Sequence, residues 1–401
     1  MRKQLLISFG VIAILLAATA AVILYGRGYR FGLDGGTPRV AGTGLLVATS
    51  TPNGAQVFVN GELATATDTT INLTPGQYEV RIYKDGYFEW KKKIEIKKEV
   101  VSKADAFLIP TAPKLESITN IGVLNPVLDA SKTLLAYSVA SQSAERNGIY
   151  VLDMTLRPIL TLQNASTQIA NELGINLFSE AKLSWSPDSK QLLAGFESPI
   201  EANFLLSADS LNTNPVNVTL TLDTLNATWE ELRGEKEDAR IAGLKKNVRQ
   251  VVSKYFKVLD WAPDDTKILY TASVSGTLDP LIVPPLIGTN STAETRNIEK
   301  DAVYVYDIKE DKNYKVLDNL PKVDLGSPLP LSWYPDSKHL VYVHNGKIDI
   351  MEFDAQNQTT VYAGPFVDNF VFSWPGASKL VILTNLGNLA ITPNLYTISL
   401  K

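Results

Sequence analysis

Two histidines, His339 and His344, and a set of aspartates that follow prolines are the residues of this 401-residue chain with most scope for chemistry. Histidines five apart in an extended segment project to opposite faces, so a shared metal ion is not expected of them. Asp188, Asp264 and Asp336 each follow a proline. A ring of such carboxylates could hold a cation, but an Asp after Pro in a tight turn is fully used in capping backbone N–H groups. Asp264 and Asp265 sit in one turn, which says nothing about two carboxylates facing each other across a cleft, as glycoside hydrolysis requires. There is no cysteine, which excludes disulfides, thiolate metal sites and Cys nucleophiles. No Gly-x-Ser-x-Gly elbow, Walker loop or dinucleotide fingerprint occurs. The sequence therefore assigns no catalytic, cofactor-binding or metal-ligating residue, and no cofactor is expected. With 38 Lys and Arg against 42 Asp and Glu, the net charge of −4 argues against nucleic acid as a partner.

The aspartates belong to a repeat. Leu183-Ser-Trp185-Ser-Pro187-Asp188-Ser-Lys190 returns as Leu259-Asp-Trp261-Ala-Pro263-Asp264-Asp-Thr-Lys267 and as Leu331-Ser-Trp333-Tyr-Pro335-Asp336-Ser-Lys338. Degenerate copies are Phe372-Ser-Trp374-Pro375-Gly-Ala-Ser-Lys379 and Leu128-Asp129-Ala-Ser-Lys132. Each copy precedes an apolar strand, from Leu134, Leu192, Ile268, Leu340 and Leu380. The unit is thus a strand, a Pro-Asp turn and a second strand, with Trp as a large apolar face to bury between sheets. Third and fourth strands are expected at Gly148–Asp153 with Ile159–Leu162, at Ala302–Asp307 with Tyr314–Leu317, and at Lys347–Met351 with Thr360–Tyr362. Four strands per repeat describe a propeller blade. The Trp-x-Pro-Asp-x-x-Lys core resembles the β-propeller repeats of TolB-type and other WD-repeat-like periplasmic or surface proteins.

The four tryptophans of the repeat copies are 76, 72 and 41 positions apart, so the wider intervals must hold insertions or a further blade; five blades are expected, with a sixth possible. One insertion, at about 226–256, reads as a helix capped by Asn226-Ala-Thr228. Its early glutamates and late lysines and arginine suit the helix macrodipole. Ile241, Leu244, Val248, Val251 and Val252 form its apolar stripe, which is expected to pack on the side of the propeller; a lid or docking helix is the alternative. A second insertion, near Gly276 to Lys300, reads as a long loop.

Ahead of the repeats the chain opens Met1-Arg2-Lys3 and then runs from Gln4 to Gly26 without a charge, long enough to cross a bilayer. Ala18-Thr19-Ala20 resembles a signal-peptide cleavage site, and a core helix is a third reading. The apolar run continues through Val22-Ile23-Leu24, which favours an anchor. Arg2 and Lys3 on one side nearly balance Arg27, Arg30 and Arg39 on the other, so the expected export of the long C-terminal part rests on its size. The glycine-rich stretch 27–43 reads as a flexible linker.

From Gly44 short β-branched runs alternate with turns such as Asn60-Gly61 and Asp85-Gly86, giving five or six strands of a small sandwich or barrel over 44–112. Thr51-Pro-Asn-Gly-Ala55, Val57-Phe-Val-Asn-Gly61, Leu73-Thr-Pro-Gly-Gln-Tyr-Glu-Val80 and Lys84-Asp-Gly-Tyr87 resemble a PEGA domain. Ala66-Thr67-Asp68-Thr69 replaces that family's second Gly-x-Thr-Pro turn. The resemblance implies a small Ig-like module without catalytic residues. The lysine-rich stretch Trp90 to Lys98 reads as a protected edge strand, with an anionic surface as the alternative partner.

The expected architecture is mainly β: an anchor over 1–26, a linker over 27–43, a PEGA-like sandwich over 44–112 and a propeller over 113–401. The expected role is non-enzymatic binding or scaffolding at the cell envelope, with the membrane engaged through the N-terminal helix and a protein or envelope polymer as partner. A propeller hydrolase acting on envelope glycans and an accessory sensor subunit of a larger membrane complex are the alternatives.

Overall fold

A computed structural model describes residues 2–26, 29–34, 37–140, 142–155, 166–172, 177–197, 201–322, 328–367 and 369–401. The chain divides into two compact units, Met1–Thr111 with Ile282–Ala293, and Ala112–Leu281 with Glu294–Lys401.

The first unit begins with α1 (Arg2–Gly26), whose segment Ser8–Gly26 has a mean hydropathy of 2.3 and none of its length buried. It is long and apolar enough to cross a membrane. The stretch expected as a flexible linker contains a hairpin, β1 (Tyr29–Asp34) and β2 (Thr37–Gly42), with Tyr29 opposite Gly42. The register runs on to Asp34 opposite Thr37, so paired strands stand where a tether was expected.

Seven further strands make the sandwich: β3 (Gly44–Thr51), β4 (Gln56–Val59), β5 (Glu62–Ala66), β6 (Thr69–Leu73), β7 (Gly76–Tyr83), β8 (Trp90–Ile96) and β9 (Val101–Phe107). One sheet runs β6-β3-β9, with β3 and β9 parallel, and the other runs β5-β4-β7-β8. Alternation puts Leu46, Ala48, Val57, Val80, Ile82, Trp90, Ile94 and Ala104 into the core between them. At the altered turn, Thr67 takes over: its hydroxyl accepts from the Ala55 N–H at 3.0 Å and bonds to Ser50 at 2.7 Å. β8 is an edge strand, as its lysines suggested. Part of that edge is covered by the inserted segment, since the Glu95 N–H donates to Ser291 Oγ at 3.1 Å.

The second unit is built of four-stranded antiparallel sheets, five among the described residues. After β10 (Leu115–Ser117), blade 1 comprises β11 (Leu124–Leu128), β12 (Leu134–Val139), β13 (Gly148–Asp153) and β14 (Ser166–Asn171). The fourth strand expected at Ile159–Leu162 lies outside the described residues, and β14 fills that position. Blade 2 comprises β15 (Lys182–Trp185), β16 (Gln191–Phe196), β17 (Ala202–Ser207) and β18 (Val216–Asn217). Then follow α2 (Leu222–Gly243) and α3 (Lys246–Tyr255).

Blade 3 comprises β19 (Phe256–Trp261), β20 (Lys267–Ala272), β23 (Val303–Asp307) and β24 (Lys312–Leu317), interrupted by a ribbon of β21 (Gly276–Thr277) and β22 (Asn297–Ile298). Blade 4 comprises β25 (Leu331–Trp333), β26 (His339–His344), β27 (Lys347–Glu352) and β28 (Thr359–Tyr362). Blade 5 comprises β29 (Val371–Ser373), β30 (Lys379–Thr384) and β31 (Asn394–Ser399), and β10 supplies its fourth strand, Leu115 opposite Ile398. Joining the first strand of the unit to its last closes the ring of a five-bladed propeller. Blades bury both faces: Leu135, Tyr137 and Leu152 of blade 1 pack with Phe372, Val381 and Leu395 of blade 5. The other face of blade 1, through Ala136, Ile149 and Val151, packs on Trp185 and Leu192 of blade 2 and on Phe178 just ahead of that blade.

The helical insertion differs from the expected single helix in start and course. It begins at Leu222, because Leu222, Leu225 and Trp229 share a face that packs on Leu193, Leu205 and Val218 of blade 2. That burial outweighs the capping preference of Asn226 and Thr228, which lie within the helix. Gly243 and an extended Leu244 break it in two. The apolar stripe, Ile241, Leu244, Val248, Val251 and Val252, packs on Ile268, Tyr270 and Tyr304 of blade 3. The helices are thus a wedge between two consecutive blades. Rather than a sixth blade, this wedge and the ribbon account for the two wide tryptophan intervals.

Candidate binding cavity at the turn end of the propeller

Each first-to-second-strand turn has the same local construction. In blades 2, 3 and 4 the N–H of Ser189, Asp265 or Ser337 donates three residues back, to Ser186, Ala262 or Tyr334. Pro187, Pro263 and Pro335 occupy the first central position, where their fixed φ suits a type I turn. Ser189, Asp265 and Ser337 then adopt φ near +60°. The carboxylates cap the turn: Asp188 accepts from the Lys190 N–H, Asp264 from Thr266 and Asp336 from Lys338 and His339. Hydrogen bonds, led by Ser186, hold the Asp188 carboxyl below its ordinary range. Burial would raise the Asp264 and Asp336 carboxyls, but donors, Thr266 for one and His339 for the other, hold both below the usual value.

Two copies depart from the register. In blade 1 Lys132 is the positive-φ residue and its N–H donates to Asp129, so Asp129 stands one place ahead of Pro and two ahead of the capping Asp. Its carboxylate still collects the Ser131, Thr133 and Leu134 N–H groups. In blade 5 Ala377 donates back to Trp374, so Trp374 occupies the position of Ser186, and Ser373 that of Trp185. Trp374 is half-buried on the blade 1 side instead of in the tryptophan slot of the other blades. The adjacent Trp374-Pro375, against Trp-x-Pro elsewhere, carries that signal in the sequence.

The three equivalent tryptophans are buried but differ in what their indole N–H meets. Trp185 donates to the Val127 carbonyl at 2.9 Å and Trp261 to both Glu237 oxygens at 2.9 and 3.0 Å. Trp333 Nε1 has no acceptor among the described residues. Helix α2 lies over the turns of blades 2 and 3. Arg233 donates to the Trp185 carbonyl, Lys236 to that of Pro187, and Arg240 approaches Asp265 at 3.7 Å.

A cavity of about 610 Å³ opens at this end. Its wall comes from the innermost strands of blades 1, 3, 4 and 5, through Leu128, Leu259, Leu331 and Phe372, and from Pro263, Pro335 and Pro375 of the turns. Trp261 and Trp333 contribute to the lining; Trp185, Pro187 and Asp188, beneath α2, do not. Lys132 and Asp260 form an ion pair at 2.5 Å within the wall, and Arg240 of α2 lines its edge. A smaller cavity of about 420 Å³ between the helices and β19 shares Arg240, Leu259, Asp260 and Trp261 with it.

The histidines lie apart on β26: His339 Nδ1 meets Asp336 Oδ2 at 2.7 Å, and His344 Nε2 meets Asp349 Oδ2 at 2.8 Å. No group of three or more His, Asp or Glu suited to a metal occurs among the described residues.

No curated protein matches the chain. Solved structures similar to it include a protein assigned as TolB from Agrobacterium tumefaciens, at 12% identity and a TM-score of 0.21, covering 70% of this chain and 73% of that one. TolB from Acinetobacter baumannii is similar at 13% identity and a TM-score of 0.19, covering 80% of this chain and 59% of that one. The propeller itself rests on the sheet order given above. Residues 43–111 match the PEGA domain family, so the sandwich is a PEGA domain.

Proposed function

We propose that this is a non-enzymatic, membrane-anchored protein of the cell envelope that binds a protein or envelope polymer at the turn end of its propeller. In this reading α1 is a single-pass anchor, the remainder lies outside the cytoplasm, and the PEGA domain stands beside the membrane. The carrying observation is the make-up of the cavity. Its lining is proline-rich and more apolar than polar, and its one acidic residue among the described residues, Asp260, is engaged by Lys132. A glycan hydrolase needs two carboxyls flanking the scissile bond, so this lining favours binding over that alternative. Largely apolar walls with a few placed polar and charged groups are what a binding pocket requires.

The test is site-specific photocrosslinking from Leu329, an exposed wall residue, in intact cells carrying a C-terminally tagged full chain. A crosslinked product that disappears with Arg240→Glu, together with loss of the tag on external proteolysis, supports the reading. The absence of any product beyond that from an exposed control position, Ser210, or a tag protected until lysis, overturns it.

A further inference from the structure

The segment that blade 3 contributes to the first unit ends in an apolar tip. No charge occurs from Pro280 to Ala293. Within that stretch Val283 is 80% exposed, Ile287 70% and Leu286 47%, with Pro284 and Pro285 also at the surface. Its shoulders are held firmly. The Leu281 N–H donates to Asp311 Oδ2 at 2.5 Å, a carboxylate that also meets Arg296 and Tyr306. On the returning side Ser291 accepts from Glu95, and Asn290 accepts from the Thr292 N–H at 3.1 Å. A loop fixed at both ends yet presenting Val, Leu and Ile to solvent marks a contact surface.

The hairpin of β1 and β2 points to what covers it. Were 27–43 an open linker, the sandwich could drift about 60 Å from the end of α1. The Tyr29–Gly42 pair short-circuits that length. Only the three covalent steps from Gly26 to Tyr29, one strand spacing, and the two steps from Gly42 to Gly44 remain, so β3 starts within about 25 Å of the end of the helix. The unit bearing the apolar tip is therefore held against whatever bilayer α1 occupies.

We infer that Val283, Leu286 and Ile287 insert into the interfacial region of the same bilayer that α1 crosses, giving the first unit a second, monotopic membrane contact. The inference rests on the anchored reading above. Uncharged apolar side chains at the tip of a fixed loop suit the boundary between headgroups and acyl chains, and proline leaves fewer backbone N–H groups to desolvate.

The chain has no native cysteine, so one environment-sensitive fluorophore can be placed at a chosen site. The full chain is labelled as Ile287→Cys, as Leu15→Cys in α1, or as Ser210→Cys on blade 2, and reconstituted in phosphatidylcholine vesicles with or without doxyl-labelled lipid, deep-labelled for Leu15 and shallow-labelled for Ile287 and Ser210. Quenching at Leu15 and at Ile287, the latter at least about twofold above Ser210, supports the second contact. Quenching at Leu15 with Ile287 no more quenched than Ser210 overturns it and leaves the anchor standing. A blue-shifted Ile287 probe that ignores doxyl lipid places a protein surface there and also overturns it. Absence of quenching at Leu15 overturns the anchor, and the inference with it.

Discussion

Trp261 and Trp333 occupy the same position of consecutive repeats, are 5% and 2% exposed, and differ in one respect, the fate of the indole N–H. Trp261 donates to the half-buried Glu237 carboxylate, and Trp333 donates to nothing among the described residues. Replacing either by Phe removes a similar apolar volume, so the cavity cost of about 1–2 kcal/mol is common to both. Trp261→Phe also forfeits a hydrogen bond to a charged acceptor, worth about 1.5–3 kcal/mol, and loosens α2 over blade 3. Trp333→Phe instead relieves a buried orphan donor, whose burden is about 1–3 kcal/mol. Trp261→Phe should therefore be the more destabilising by about 2 kcal/mol or more. Urea denaturation of the full chain in detergent, followed by far-ultraviolet circular dichroism, reads the difference as a shift in midpoint at equal slope. Equal midpoints, or a less stable Trp333→Phe, would refute the assignment of stability to the helix–blade hydrogen bond.

Asp129→Asn should cost about 2 kcal/mol at pH 7, because the carboxylate gathers three backbone N–H groups. Burial would raise that carboxyl, yet Ser131 and the turn N–H groups hold it below its ordinary value. Its contribution is thus present above the usual carboxylate pKa near 4 and lost as pH falls through the lower folded value. Melting curves should show the gap between Asp129→Asn and the parent closing on acidification. Gly148→Ala should lower stability by about 3 kcal/mol or more, since φ is +134° and a Cβ would sit 2.0 Å from the Ala170 carbonyl oxygen. Gly61→Ala, at φ +88° with open space around it, should cost only about 1 kcal/mol in the same thermal assay. Trp229→Ala should cost about 3–5 kcal/mol and expose α2 to limited proteolysis ahead of the blades, as it removes the centre of the contact with Leu193 and Val218.

The propeller was legible because its unit is local: a Trp, a Pro-preset turn and an apolar strand lie within about ten residues of one another, and each repetition reinforces the others. The sandwich was legible for the same reason, through its turns. What escaped the sequence depends on distant partners. β10 is three residues long and acquires meaning only beside β31. The start of α2 follows from burial of Trp229 on blade 2, which outranks local capping. The cavity joins Lys132 of blade 1 to Asp260 of blade 3, a pairing 128 positions apart that no periodicity announces. The displacement of Trp374, by contrast, was readable from its adjacency to Pro375. Likewise the dipeptide Gly35-Gly36 could have exposed the hairpin hidden in a stretch whose five glycines drew the eye to flexibility.

Closure of the ring by β10 has a consequence in time. Glu116 and Thr397 meet across 281 positions, so the first strand of the unit to be synthesised waits for the last. Blades 1 to 4 can assemble in order as the chain emerges, but blade 5 stays one strand short until residues 394–399 arrive. Bringing such distant ends together is entropically slow, and an unpaired β10 edge meanwhile invites a wrong partner. A chain that stopped before β31 would hold the first four blades entire and still lack the clasp. Whatever senses the pairing of β31 therefore senses whether the whole ring has shut.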